Sequence, residues 1–113
     1  MYENYEKECE IFKKVCDDLK EIHAKKSATY GDSWKKRGEL VSVFGNVARK
    51  FDRLENLASD LQLWSSAQKG ETIENIEDTV IDLAVYSILW CTFLVEKRPE
   101  KYKKAIANVL GLK

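Results

Sequence analysis

The sequence contains few of the residues that interrupt helices. It has one Pro and five Gly among 113 residues, with 44% hydrophobic and 34% charged residues. This composition favours a soluble helical protein. The length suffices for one domain and is too short for two ordinary ones, so we expect residues 1–113 to form a single domain.

Cysteine and histidine are also scarce. The three cysteines, Cys9, Cys16 and Cys91, are odd in number and lack the paired spacing of a metal site. We expect each to be a small core residue in a reducing cytoplasm. The lone His23 follows the apolar stripe of the first helix, which favours a structural histidine.

The formal net charge is zero, so charge gives no reason to expect binding to nucleic acid or to an anionic membrane. The first ten residues are acidic and polar, unlike a signal peptide. The apolar run Leu83–Val95 is shorter than the roughly 20 residues that span a bilayer. We therefore expect a cytoplasmic protein that does not enter the membrane.

Hydrophobic periodicity predicts four helices and no strands. Turns are predicted at Tyr30-Gly31-Asp32-Ser33-Trp34 and at Gly38, because glycine there supplies backbone freedom. The predicted helices extend from about Tyr5 to Ser27, from Leu40 to Leu61, from an N-cap at Thr72 to about Lys97, and from Pro99 to Gly111. The fold class is therefore all-α, a four-helix bundle.

The second helix has the most regular apolar stripe, which comprises Leu40, Phe44, Val47, Phe51, Leu54, Ala58 and Leu61. Gly45 lies inside this helix at a cost of up to ~1 kcal/mol relative to Ala. We expect another backbone or a ligand to approach closely there.

The third helix is apolar on nearly every side, and Asp82 is the only formally charged residue between Val80 and Val95. An ionised carboxylate in such surroundings costs several kcal/mol, of order 3 or more, unless it is compensated. One small bundle cannot cover so apolar a helix, so we expect a homo-oligomer that forms through it.

Carboxylates recur along one face of that helix, at Glu74, Asp78 and Asp82, and Tyr86 follows one turn later. Acids four residues apart can hold one hard cation, and Mg²⁺ takes one or two protein carboxylates together with water and phosphate oxygens. The alternative for Asp82 is a buried ion pair with Lys or Arg that fixes the helix register.

A second polar group borders the core on the preceding helix, at Asn46, Lys50 and Arg53. If the two helices are antiparallel, these cations can face the acidic row. Either they pair directly with Asp78 or Asp82, or cations and carboxylates together surround a nucleotide phosphate and its metal. Spacing alone does not separate the two alternatives.

The turn around Gly31 is the third candidate. Tyr30 and Trp34 could stack on a base, and Asp32 or Ser33 could bond the base edge or the sugar. The alternative, which residue pattern alone favours, is a structural turn whose two aromatic side chains cover the core.

Taken together, three motifs resemble the nucleotide-modification-associated domain of phages and bacteria, a family similar to the MazG-like all-α nucleoside triphosphate pyrophosphohydrolases. They lie in order between about Lys25 and Leu94. The motifs are Tyr30-Gly31-Asp32-Ser33-Trp34, then Phe44-Gly45-Asn46-x-x-Arg49-Lys50-x-x-Arg53-Leu54, then Glu77-Asp78-Thr79-Val80-Ile81-Asp82-Leu83-Ala84-x-Tyr86.

The resemblance implies a MazG-like bundle in which E-x-x-E and E-x-x-D motifs hold Mg²⁺ and water attacks the α–β phosphate linkage. Asp82 resembles the last acid of the second motif, but Thr79 replaces the acid before it, and Asp78 is a candidate substitute. The first motif is absent, with Asn46, Lys50 and Arg53 in its place. Two carboxylates and two cations cannot hold several metals.

Three functions follow as expectations. In a pyrophosphohydrolase of phage or bacterial nucleotide metabolism, Asp78 and Asp82 would be catalytic, with Glu74 as a further Mg²⁺ ligand. Substrate would be bound by Tyr30, Asp32, Trp34, Asn46, Lys50, Arg53 and Tyr86. The alternatives are a non-catalytic protein that sequesters a nucleotide or a signal nucleotide, of an anti-defence type, and a helical interaction scaffold.

Overall fold

A computed structural model describes residues 2–59, 65 and 76–112, and all regular structure within these ranges is helical. The chain divides into two compact units, residues 1–32 and 33–113. Four α-helices are described: α1, Tyr5–Tyr30; α2, Gly45–Ala58; α3, Ile76–Lys97; and α4, Pro99–Val109. A 3₁₀ turn, Ser33–Lys35, and a π-helical segment, Glu39–Phe44, lie between α1 and α2. The all-α prediction is confirmed for this part of the chain.

The N-terminal unit is essentially the helix α1. Charged residues four apart form ion pairs on its surface, such as Lys13–Asp17 at 3.0 Å and Lys14–Asp18 at 2.9 Å. Such exposed pairs add a few tenths of a kcal/mol each. The helix ends at Gly31, whose φ of 62° is a left-handed conformation that favours glycine.

Much of the apolar stripe of α1 is exposed. Leu19 is buried, but Phe12 is 72% exposed and Val15 is 46% exposed. Cys9 is also exposed, as is Cys91 on α3, so their prediction as core residues was wrong. The 3.6-residue period located the helix correctly, but it does not determine how much of the apolar stripe becomes covered.

The second unit is built around α3, which packs against α2, α4 and the π-helical segment. Its buried core consists of Val43, Ile76, Thr79, Val85, Leu89 and Phe93. Pro99 occupies the first turn of α4, where its missing N–H costs no helical hydrogen bond. The predicted end of α3 at Lys97 and the start of α4 at Pro99 agree with the structure. The predicted cap of α3, Thr72, lies outside the described residues.

The π-helical segment forms the first part of the predicted second helix and changes which of its side chains point inward. Val43, which is absent from the predicted stripe, is 2% exposed, whereas Leu40 and Phe51 are 74% and 53% exposed. A π-turn holds more residues than an α-turn, so it shifts the phase of the apolar pattern. The predicted inward stripe was therefore wrong at four exposed residues, Leu40, Phe44, Phe51 and Ala58. Val47 and Leu54 are half-buried, and Leu61 lies outside the described residues.

Within the described part of the chain, Gly45 does not mark the close approach of another backbone. A Cβ added there would meet only the Leu40 carbonyl oxygen, at 3.9 Å, which is an ordinary contact. Its φ is −56°, so no left-handed conformation requires glycine. Gly45 instead begins α2 where the π-helical segment ends. Among the described residues no other backbone approaches it closely, and the approach of a ligand stays a prediction.

Several apolar side chains of helix α3 are exposed in the part of the chain that the structure describes. Val80, Ile81, Ile88 and Val95 are each between 40% and 48% exposed. By length and composition, the 22-residue helix could cross a membrane, although a soluble core helix can pass the same test. The apolar run Leu83–Val95 is only part of this helix, which also contains Ile76, Val80 and Ile81 on the N-terminal side of Asp82.

Candidate functional site

Helices α2 and α3 meet through an ion pair that is largely shielded from solvent. The Lys50 Nζ atom lies 3.0 Å from Asp82 Oδ2, and the side chains are 17% and 26% exposed. The sequence predicted that cations of the second helix can pair with Asp78 or Asp82. The structure confirms this contact for Lys50 and Asp82.

Two contacts show that α2 and α3 are antiparallel. Lys50 contacts Asp82, and Phe44, six residues earlier, has its ring centroid 5.8 Å from that of Trp90, eight residues after Asp82. At 1.5 Å per residue, these two contacts are separated by about 9 Å along α2 and about 12 Å along α3. The antiparallel arrangement on which the predicted site depended is thus present.

The other predicted α2 residues differ in their burial. Asn46 is half-buried one turn before Lys50; its Nδ2 atom donates to the Trp34 carbonyl oxygen at 3.4 Å, and Arg49 Nη2 donates to its Oδ1 atom at 3.1 Å. Arg53, one turn after Lys50, is exposed. The Asn46 amide therefore connects α2 to the turn at Trp34. The Arg53 guanidinium is exposed one turn after Lys50.

The acidic row is only partly described. Asp78 is exposed, whereas Asp82 and Tyr86 are half-buried, and Glu74 lies outside the described residues. Thr79, the position at which the resemblance to the MazG-like motif predicts an acid, is 2% exposed and faces the core. Position 79 is thus closed to a metal ligand, while Asp78, one residue earlier, faces solvent.

The donor set for a magnesium ion is incomplete among the described residues. No group of three or more His, Cys, Asp or Glu side chains within residues 2–59, 65 and 76–112 is arranged to hold a metal. The half-buried acid of the row, Asp82, is ion-paired with Lys50, which opposes cation binding there. These residues by themselves do not fit a resident Mg²⁺ ion.

The turn that follows α1 divides between the two units. Tyr30 and Asp32 belong to the N-terminal unit and are exposed, Tyr30 at 68%. Trp34 belongs to the second unit, is half-buried, and has Lys35 Nζ 5.3 Å from its ring centroid. The turn predicted here is confirmed, and it contains the 3₁₀ turn Ser33–Lys35.

A second polar cluster, which the sequence analysis missed, lies beside these helices. Glu39 accepts hydrogen bonds from Arg98 Nη1, from Arg98 Nη2 and from the Trp90 indole N–H, all at 2.8 Å. The paired guanidinium bonds connect the start of the π-helical segment to the junction of α3 and α4. A signal was present in the sequence, because the indole N–H of a tryptophan on an apolar helix needs an acceptor.

The three hydrogen bonds stabilise the Glu39 carboxylate. They lower the pKa of Glu39 from 4.5 to about 2, the Arg98 hydrogen bond being the largest cause and the Trp90 bond the next. The same bond raises the pKa of the Arg98 guanidinium. Both groups therefore stay charged through the physiological range.

This cluster should make part of the folding stability pH-dependent. Because the folded pKa of Glu39 is below its ordinary value, the stabilisation is complete above 4.5 and is lost as pH falls toward about 2. In urea unfolding, the difference in free energy between wild type and Glu39→Gln should shrink across that window. A difference that stays constant from neutral to acidic pH would contradict the prediction.

An open groove of about 400 Å³ adjoins the same cluster, lined by Glu39, Leu40, Phe44 and Trp90. Its volume lies within the range of small-molecule sites. Leu40 and Phe44 are 74% and 43% exposed, so both retain apolar surface that a ligand could cover. Three of its residues lie on the π-helical segment that precedes α2, and Trp90 lies on α3.

Comparison with known proteins gives one distant relative. Gene 30 protein of Bacillus phage SP01 is 31% identical over 103 residues, a match that covers 78% of this chain and 46% of the phage protein. The chain thus spans about half the length of the relative it matches. No family model matches the chain, and no solved structure matches it. The similarity is to a phage protein whose name states no activity.

Proposed function

We propose that this chain is a MazG-like protein that binds a nucleotide through its phosphates, with Lys50 as the central phosphate ligand. The observation that supports this most strongly is the half-buried Lys50–Asp82 pair between α2 and α3. Arg53, exposed one turn later, provides a second cation at the edge of the same site.

The chemistry of lysine suits this role. An ammonium group has three donors, and one contact with an Asp82 oxygen leaves donors for a phosphate oxygen. Partial burial strengthens such charge-assisted bonds, because the effective dielectric constant is lower than in water. Asp82 then acts as the residue that orients Lys50, and Asn46 and Tyr86 border the site.

Binding without hydrolysis is the version that the described residues support better, because Asp82 faces a cation and Asp78 faces solvent. Such a protein would sequester a nucleotide or a signal nucleotide. In the hydrolytic version, Asp78, Asp82 and Glu74 would hold a Mg²⁺ ion that activates water. In either version Trp34, which belongs to the same unit as Lys50, would border the bound nucleotide. A scaffold that only pairs Asp82 with Lys50 is the third alternative.

A thermal-stabilisation screen tests nucleotide binding directly. Nucleoside triphosphates are added to the full chain with magnesium and, separately, with a chelator. A ligand at 100 times its dissociation constant should add about 2.7 kcal/mol to the unfolding free energy. Stabilisation that persists in chelator supports binding through Lys50. No stabilisation by any nucleotide under either condition would contradict the proposal.

Product analysis separates the two versions. If the protein only binds, triphosphates incubated with it and magnesium should be recovered intact. Release of pyrophosphate and nucleoside monophosphate, lost in Asp82→Asn, would instead establish the pyrophosphohydrolase.

We also propose that α3 forms a homo-oligomer, in the cytoplasm of the host if the chain is phage-encoded, as its phage relative suggests. The exposed residues Val80, Ile81, Ile88 and Val95 supply the apolar surface for the interface. Their burial against a second copy would remove that surface from water.

Sedimentation tests the oligomer. Wild type should sediment as a homo-oligomer, and Ile88→Glu should shift it toward the monomer, because a charge would then be buried in the interface. Glu100→Lys, on the exposed surface of α4, serves as a control that should leave the assembly unchanged. A monomeric wild type, or one that partitions into neutral lipid vesicles instead, would contradict the prediction.

A further inference from the structure

The groove beside the Glu39 cluster has a chemistry that the proposed phosphate site does not use. It combines apolar side chains with a single carboxylate, and the Trp90 indole N–H is already bonded to that carboxylate. The polar group that the groove offers a ligand is therefore an acceptor. A ligand that fits has an apolar ring and an N–H donor.

The Glu39 carboxylate can accept one further hydrogen bond. A carboxylate has about four acceptor positions, and Glu39 uses three of them for two bonds from Arg98 and one from Trp90. Because Arg98 neutralises its charge, Glu39 does not require a cationic ligand. An uncharged amino group on an aromatic ring would complete its hydrogen bonding.

The location of the groove relates it to the ion pair. The groove residue Phe44 precedes Lys50 by six residues on the same helical rod, or about 9 Å along α2. Trp90 follows Asp82 on the antiparallel partner helix. An extended nucleotide with a phosphate at Lys50 could therefore direct its base toward Phe44 and Leu40.

We infer that the groove lined by Glu39, Leu40, Phe44 and Trp90 receives the base of the nucleotide and favours a base with an exocyclic amino group. The inference rests on the proposed phosphate site. The base packs on Leu40 and Phe44, and its amino group donates to Glu39. A base with a carbonyl group at that position would place a second hydrogen-bond acceptor against the Glu39 carboxylate, so we expect it to bind less tightly.

Two pairs of nucleotides contrast an exocyclic amino group with a carbonyl group. Cytidine and uridine triphosphates differ in this way, as do adenosine and inosine triphosphates, and in each pair the neighbouring ring nitrogen also changes from an acceptor to an N–H donor. Calorimetry in chelator should show the amino member of at least one pair bound about tenfold more tightly, as expected for one hydrogen bond to a charged acceptor. Equal affinity within both pairs would overturn the inference.

A variant pair tests the location. Leu40→Ala should weaken nucleotide binding by about fivefold, because Leu40 lines the groove, and should leave the affinity for inorganic triphosphate unchanged. Val41→Ala, at the neighbouring residue that is 62% exposed and does not line the groove, is the matched control. Identical nucleotide affinities in the two variants would overturn the inference.

Inorganic triphosphate separates this inference from the proposed function. If it binds wild type while bases are not distinguished, the phosphate site stands and the base groove is wrong. If neither it nor any nucleotide binds, the phosphate site fails, and the base groove fails with it.

Discussion

Replacing Lys50 by Met is expected to weaken nucleotide binding by about tenfold to a hundredfold, the effect of losing a charge-assisted bond to phosphate. Met keeps most of the apolar stem, so the loss reports on the ammonium group. Asp82 would also lose its 3.0 Å partner and repel the incoming phosphate. Calorimetric titration of a triphosphate in chelator measures the change.

Lys103→Met provides the matched control, because Lys103 is exposed on α4 and its loss removes the same net charge. It should bind like wild type. Since breaking the ion pair also destabilises the fold, the melting temperature of Lys50→Met must show that it remains folded during titration. Equal affinities in the two variants would exclude Lys50 as the central phosphate ligand.

Replacing Thr79 by Glu is expected to lower the free energy of unfolding by about 3 kcal/mol or more. Thr79 is 2% exposed, so the substitution forces a longer side chain and a carboxylate into the core. If the proposed MazG-like relationship holds, the same substitution would supply the acid that position 79 lacks. Urea unfolding with and without magnesium measures the outcome.

Thr92→Glu is the control on the same helix, since Thr92 is exposed and an acid there stays in solvent. It should change stability by less than about 1 kcal/mol. If Thr79→Glu were as stable as Thr92→Glu and gained magnesium-dependent hydrolysis, position 79 would be accessible to a metal. The burial of Thr79 would then fail to explain why position 79 has no acid.

The helices and their junctions were largely predictable. The composition and periodicity indicated α1, α3 and α4, and Gly31, Gly38 and Pro99 marked interruptions that the structure contains. These signals are local, because the conformations of glycine and proline depend mainly on their own backbone. The Lys50–Asp82 contact was predictable because an acid on an apolar helix requires compensation.

The π-helical segment and the groove were not predictable in this way. An α-helical period places Leu40 and Phe44 inward, but the segment turns Val43 inward and leaves the other two at the groove. The bonds of Glu39 to Trp90 and Arg98 join residues 51 and 59 positions apart. The sequence indicates that the Trp90 indole needs an acceptor, but not that Glu39 provides it, because both pairings depend on how the helices pack.

The central claim is that the Lys50–Asp82 pair receives a phosphate group. The most direct measurement is the NMR signal of the Lys50 side-chain ammonium group, assigned with Lys50→Met, during titration with inorganic triphosphate. The signal of Lys50 should shift and saturate, while that of the exposed Lys103 should not respond beyond a weak, unsaturable change. Saturable nucleotide binding that leaves the Lys50 signal unmoved would place the phosphate elsewhere and contradict the claim.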